Sequence, residues 1–191
     1  MSAAVVAAAL TVLSGCSSPD TPPAALPPED PNDLALVFAE ELADLAVELT
    51  DRGGLIDRSE GYERSPEGTH LALYLEPLEE PSADVYVEGI LTLTRVFADA
   101  FERWPGLESL DVCQERHRDD PRRDRQLIVT QVELTRDVWA QLDWDTVTLV
   151  ELTQALEDDE DSFLRLSNEL AAHPDIQRVR EELSERAEPG G

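Results

Sequence analysis

His70-Leu71-Ala72-Leu73-Tyr74-Leu75-Glu76 is the stretch whose spacing decides the fold class. Leu71, Leu73 and Leu75 fall on one side of an extended chain, and His70, Ala72, Tyr74 and Glu76 fall on the other. Pro77 and Pro81 end this strand. Beyond them Ser82 or Asp84 can cap a helix on which Tyr86, Ile90, Leu93, Phe97, Ala100, Phe101 and Trp104 form a wide apolar stripe, stopped by Pro105-Gly106. Leu107 to Arg116 and Gln126 to about Thr135 then read as two strands joined by a long polar turn, the second rich in Val, Ile, Leu and Thr. These two are expected to pair as an antiparallel hairpin. If the first strand runs parallel to one of them, the helix between makes a right-handed crossover. The expectation is a two-layer α/β fold: a small mixed sheet of about three strands, packed with helices.

Outward from this centre the spacing turns helical on both sides. Toward the C-terminus Val138, Trp139, Leu142, Val147, Val150, Leu152 and Leu156 recur at helical intervals. The acidic run Glu157 to Asp161 interrupts, Phe163, Leu164, Leu166 and Leu170 continue, and Pro174 suits the first turn of a last helix carrying Ile176, Val179 and Leu183. The C-terminal third is therefore expected to be helical. Toward the N-terminus Asp33 can cap a helix with Leu34, Val37, Phe38, Leu42, Leu45 and Leu49 on one face, ending at Gly53-Gly54 before a loop that runs to about Thr69. Residues 33–187 thus form one expected domain, of ample length for a core.

Residues 16–32 carry prolines at 19, 22, 23, 27, 28 and 31 and almost nothing suited to a core. Such a segment is extended and semi-rigid, about 3 Å per residue, and reads as a tether. Before it, Ala3 to Leu13 is uncharged and rich in Ala, Val and Leu, and ends at the small residues Ser14 and Gly15. An apolar run followed by small residues is the pattern of an export signal, here residues 1–15. It falls well short of the roughly 20 apolar residues needed to span a bilayer.

Leu13-Ser14-Gly15-Cys16 resembles the lipobox of bacterial lipoproteins, in which a small residue immediately precedes an invariant cysteine. The resemblance covers about the first tenth of the chain. Met1 and Ser2 depart from it, offering no basic residue where such signals usually carry one. The resemblance implies cleavage between Gly15 and Cys16, a diacylglycerol on the Cys16 thiol, and acylation of the new amino group. It implies a protein held at the cell membrane by lipid, outside the cytoplasm.

The chain of 191 residues has 42 Asp and Glu against 15 basic residues, a net charge of −27. Every basic residue is arginine. Without lysine there is no P-loop lysine, no Schiff-base lysine and no Ser-x-x-Lys nucleophile, and so much negative charge disfavours broad contact with nucleic acid. No Gly-x-Ser-x-Gly elbow, His-Glu-x-x-His or glycine-rich dinucleotide turn is present. No cofactor, metal site or catalytic residue is therefore assigned, and carboxylate pairs are too abundant to single one out.

One spot is locally basic. Between Arg116 and Arg125 stand Arg116, Arg118, Arg122, Arg123 and Arg125, with His117, Asp119, Asp120 and Asp124 among them. Arginines on a hairpin tip can hold a phosphate or carboxylate by paired hydrogen bonds, which makes this loop the candidate contact for an envelope protein or anionic ligand. The plainer reading is a loop whose charges pair with its own aspartates and with neighbouring acidic elements.

Alternation places Asp111, Cys113, Glu115 and His117 on one strand face and Leu110 and Val112 on the other. Neighbouring carboxylates raise a thiol's pKa, so Cys113 reads as a small buried residue rather than a nucleophile, and with Cys16 assigned to lipid it has no disulfide partner. His70 and His173 show no characteristic zinc spacing. Glu157 to Asp161 lacks the alternating ligands of a calcium loop and reads as an exposed linker capping the helix after it. Trp104, Trp139 and Trp144 read as packing residues. The functional expectation is a non-enzymatic binding or accessory module at the cell envelope. The alternatives are an envelope hydrolase using unassigned carboxylates, or a structural lipoprotein that self-associates or joins a transport complex.

Overall fold

The computed structural model describes residues 25–57 and 68–187. The signal segment 1–15, Gly15 and Cys16, and the tether as far as residue 24 lie outside the described residues. The elements in chain order are α1 (Pro31–Val37), α2 (Ala39–Leu45), β1 (Val47–Leu49), β2 (Gly54–Asp57), β3 (Thr69–Pro77), α3 (Ala83–Ala98) and α4 (Ala100–Arg103). They continue with β4 (Ser109–Glu115), β5 (Ile128–Thr135), α5 (Arg136–Gln141), α6 (Leu149–Glu157), β6 (Phe163–Leu166), α7 (Asn168–Ala171) and α8 (Pro174–Ala187). None of the described helices is long and apolar enough to cross a membrane.

The mixed α/β class holds, but the sheet is larger than expected: six strands rather than about three. The three read from alternation, β3, β4 and β5, form its centre. β3 runs parallel to β4 with α3 between them in sequence, and β4 and β5 form the antiparallel hairpin. The three strands that went unread are short. β1 falls where Leu45 and Leu49 extend a helical spacing; Ala46, in the left-handed region at φ 52°, ends α2 and turns the chain into β1. β2 occupies the start of the expected loop. β6 takes Phe163 to Leu166, so the C-terminal third is not wholly helical, and the acidic run leads into a strand rather than capping a helix. Asp158 in that run instead ends α6.

Both β1 and β2 pair antiparallel with the same edge of β3, through Leu49↔Leu75 and Gly54↔Ala72. They form one edge strand interrupted by a bulge at 50–53. Gly53 is required there, because a Cβ would meet the backbone oxygen of Ala72 at 2.4 Å. At the N-terminus Asp30, not Asp33, caps the first helix by accepting from the Asn32 N–H at 2.8 Å. Upstream, Pro27 is buried and the Ala25 carbonyl accepts from Gly106 N–H at 3.0 Å, which lays the last of the proline-rich segment on the domain.

The register sorts the sheet into two unlike faces. Leu71, Leu110 and Leu134 lie abreast on one, followed by the row Leu73, Val112, Val132 and Leu164. α3 covers this face with Tyr86, Ile90, Leu93 and Phe97, after Ser82 caps it. The other face carries His70 beside Ser109 and Thr135, then Asp111 beside Glu133, then Cys113 beside Gln131, and these polar groups are buried too. Trp104 stacks edge-on to Phe38 and Trp139 tilts onto Phe101, which places both in packing roles. Trp144 anchors the turn after α5, donating from its indole N–H to Trp139 O at 3.0 Å.

Candidate functional site

The arginine loop is built as a brace. Arg116, 1 % exposed, donates through Nη1 to Asp120 at 3.2 Å and Glu169 at 2.8 Å, and through Nε to the Gln126 carbonyl at 2.9 Å. Arg122 grips both oxygens of Asp120, at 2.6 and 2.9 Å, and also bonds Glu169. Arg118 pairs with Glu48 and Glu76, and Arg123 with Glu76 and Glu115. Arg52 completes the network with a two-point grip on the fully buried Glu115. Four of the five arginines read as candidate anion contacts are therefore engaged by carboxylates, while Arg125 is exposed and enters no ion pair with a described residue. Anion capture by the engaged four requires displacing those carboxylates.

These pairings act on protonation. Hydrogen bonds from the Arg122 side chain, then from its backbone N–H and from Arg116, outweigh desolvation and hold the Asp120 carboxyl well below the usual carboxylate range. A carboxyl whose folded pKa is lowered stabilises fully above its unfolded value near ~4, and that stabilisation is lost as pH falls toward the folded value. Urea midpoints are thus expected to fall between about pH 5 and pH 2, with a shallower fall in Asp120→Asn. Equal slopes for the two proteins would refute the assignment.

On the polar sheet face the pairing of β3 with β4 brings together groups that sequence spacing kept apart. His70 Nδ1 lies 2.8 Å from Ser109 Oγ, and its Nε2 lies 3.6 Å from Asp111 Oδ2, which also accepts from Gln131 Nε2 at 2.9 Å. Ser109, His70 and Asp111 are the residue types of a nucleophilic triad, but they are 1 %, 0 % and 3 % exposed and so closed to solvent. Cys113 is fully buried in the same face, its thiol pKa pushed up by burial first and by Asp111, Glu115 and Glu133 next, as expected of an inert cysteine.

Access is found at the other face, between the end of α2 and the start of α3. A cavity of about 300 Å³ opens there, floored by Leu75 and Gln114 and walled by Leu45 and Val47 on one side and Val85 and Tyr86 on the other. A shallower extension runs along α3 past Glu88, Gly89 and Thr92. The cavity stands at the carboxyl ends of the parallel strands β3 and β4, beside the start of the helix that connects them. Its floor is rigid: Gln114 donates to Tyr86 O at 2.9 Å and to Thr130 Oγ1 at 2.7 Å, and Tyr86 OH donates to Glu115 O at 3.1 Å. Burial of the Tyr86 hydroxyl raises its pKa to about 12, so it stays a donor. Val85, about half exposed, extends the apolar surface at the mouth. The sequence places Leu45, Leu75 and Tyr86 on apolar faces but does not bring them together as a site, because the lining comes from α2, β1, β3, the connection after β3, α3 and β4.

Asp84, His173 and Asp175 also converge, with Asp84 Oδ1 3.0 Å from His173 Nε2. The Asp175 N–H donates to His173 Nδ1 at 3.3 Å and Arg178 pairs with Asp175 at 2.7 Å, so this group is already occupied as a link between α3 and the start of α8. No protein-family model, no curated protein and no solved structure matches the chain.

Proposed function

We propose that the protein is an exported lipoprotein, anchored to the cell membrane through Cys16 and acting outside the cytoplasm as a non-enzymatic binding module. The observation that carries the binding role is the open, mostly apolar cavity at the carboxyl ends of β3 and β4, at the lower end of the size range of small-molecule sites. The Leu13-Ser14-Gly15-Cys16 tetrad and the prolines behind it support the anchoring. In this reading the loop from Arg116 to Arg125 is a brace that holds the β4–β5 turn against β1, β3 and the start of α7.

Metabolic labelling with a fatty-acid analogue, followed by membrane fractionation, tests the anchor. The native precursor is expected to take the label and sediment with membranes, while Cys16→Ser takes none and stays in the soluble fraction. Two soluble, unlabelled forms in a host that processes lipoproteins would sink the proposal.

The runner-up is an envelope hydrolase, favoured by the Ser109–His70–Asp111 arrangement. It requires those buried groups to become accessible to substrate. Ester hydrolysis abolished by Ser109→Ala in a folded protein would put this reading first.

A further inference from the structure

We propose that the ligand of the cavity is a hydrophobic organic cation, a small molecule with an apolar body and an ammonium group. This rests on the cavity being the binding site. The interior supplies the apolar half of the argument: Leu45, Val47, Leu75, Pro77 and Val85 face it. The rim supplies the other half. Glu79 and Glu80 stand at the mouth and Glu88 on the extension, while no arginine or histidine lines either part.

One opposing field is present. The cavity touches the start of α3, where the helix dipole contributes about half a positive charge. The Ser82 hydroxyl already accepts from the Val85 N–H there, and Asp84 adds a carboxylate to the first turn. The full negative charges of the rim therefore outweigh the dipole. A fatty acid or other anionic amphiphile entering the cavity brings its charge against Glu79 and Glu80 with no cation to receive it, whereas an ammonium is attracted. The floor's donors are spent, the Gln114 amide N–H groups on Tyr86 O and Thr130 Oγ1 and the Tyr86 hydroxyl on Glu115 O, so the floor offers an anion nothing and discrimination between charges falls to the rim.

The test uses three compounds with one apolar body: 4-phenylbutylammonium, 4-phenylbutanol and 4-phenylbutyrate. Binding is read by displacement of an uncharged fluorescent apolar probe from the folded full-length protein at physiological salt. The ammonium compound is expected to bind about three- to tenfold tighter than the alcohol, an advantage that shrinks as salt rises. The carboxylate is expected to bind weakest. Glu79→Gln with Glu80→Gln should bring the ammonium and the alcohol together. Val85→Trp fills the cavity without changing net charge and should abolish binding of both.

The two readings fail separately. If the probe binds, Val85→Trp removes it, and the ammonium compound shows no advantage over the alcohol, the cavity remains a site and the cation is wrong. If the probe does not bind, or Val85→Trp leaves it bound, the cavity itself is not the site. Ammonium binding that survives Val85→Trp is general attraction to a chain of net charge −27 and overturns the proposal.

Discussion

Arg116→Ala is expected to cost about 3–5 kcal/mol, a large part of the stability of a single domain. The guanidinium is all but sealed from solvent and satisfies three acceptors at once: Asp120, Glu169 and the carbonyl of Gln126. Its removal leaves a cavity the size of an arginine side chain. It also strips partners from Asp120, which is buried, and from Glu169, whose remaining partner Arg122 is itself exposed. Such a loss exceeds that of a surface ion pair, for which about 0–1 kcal/mol is typical. Arg116→Lys keeps the charge but cannot reproduce the forked contact, so recovery should be partial. Urea unfolding of the three proteins measures both effects. A change within about 0.5 kcal/mol for Arg116→Ala would mean that the network contributes no net stability.

The same arginine shows where sequence reasoning stops. Five arginines within ten residues were visible at once, and so was the choice between an anion site and internal pairing. Of the carboxylates that occupy them, Asp120 is one of the loop's own aspartates and was legible, whereas the distant ones were not. Glu169 lies 53 positions from Arg116, Glu76 lies 47 from Arg123, and Glu48 lies 70 from Arg118, in a chain where acids are everywhere. The three central strands and α3 were legible because their periods of two and 3.6 persist over seven or more residues. β1, β2 and β6 have three or four residues each, too few for a period to declare itself against a helical one. Leu49 and Leu166 fit a helical spacing equally well, and the left-handed Ala46 that breaks the first pattern leaves no residue-type signature. The buried polar face was half legible. Alternation put Asp111 and Cys113 together, but only the parallel pairing of β3 with β4 brings His70 to Ser109, 39 residues away.

Phe38→Ala carries the second large effect, and it joins stability to the binding cavity. Phe38 sits at the junction of α1 and α2, where its ψ of 14° interrupts the helix while hydrogen bonds to Leu34 and from Leu42 continue on either side. The ring is wholly buried, edge-on to Phe97 at 4.9 Å and to Trp104 at 5.8 Å, with the Arg103 guanidinium 5.3 Å from its centroid. Truncation is expected to cost about 3–5 kcal/mol, with Phe38→Leu recovering much of it. α2 has no fully buried side chain of its own, so its place depends on Phe38 at its start and on the half-buried Leu42 and Leu45 along it. Leu45 and Ala46 are also one wall of the cavity. A Phe38→Ala protein held below its unfolding transition should therefore bind the apolar probe more weakly than Phe38→Leu does. Lowered stability with unchanged probe affinity would instead show that β1 and β3 hold that wall without help from α1 and α2, leaving Phe38 a core residue alone.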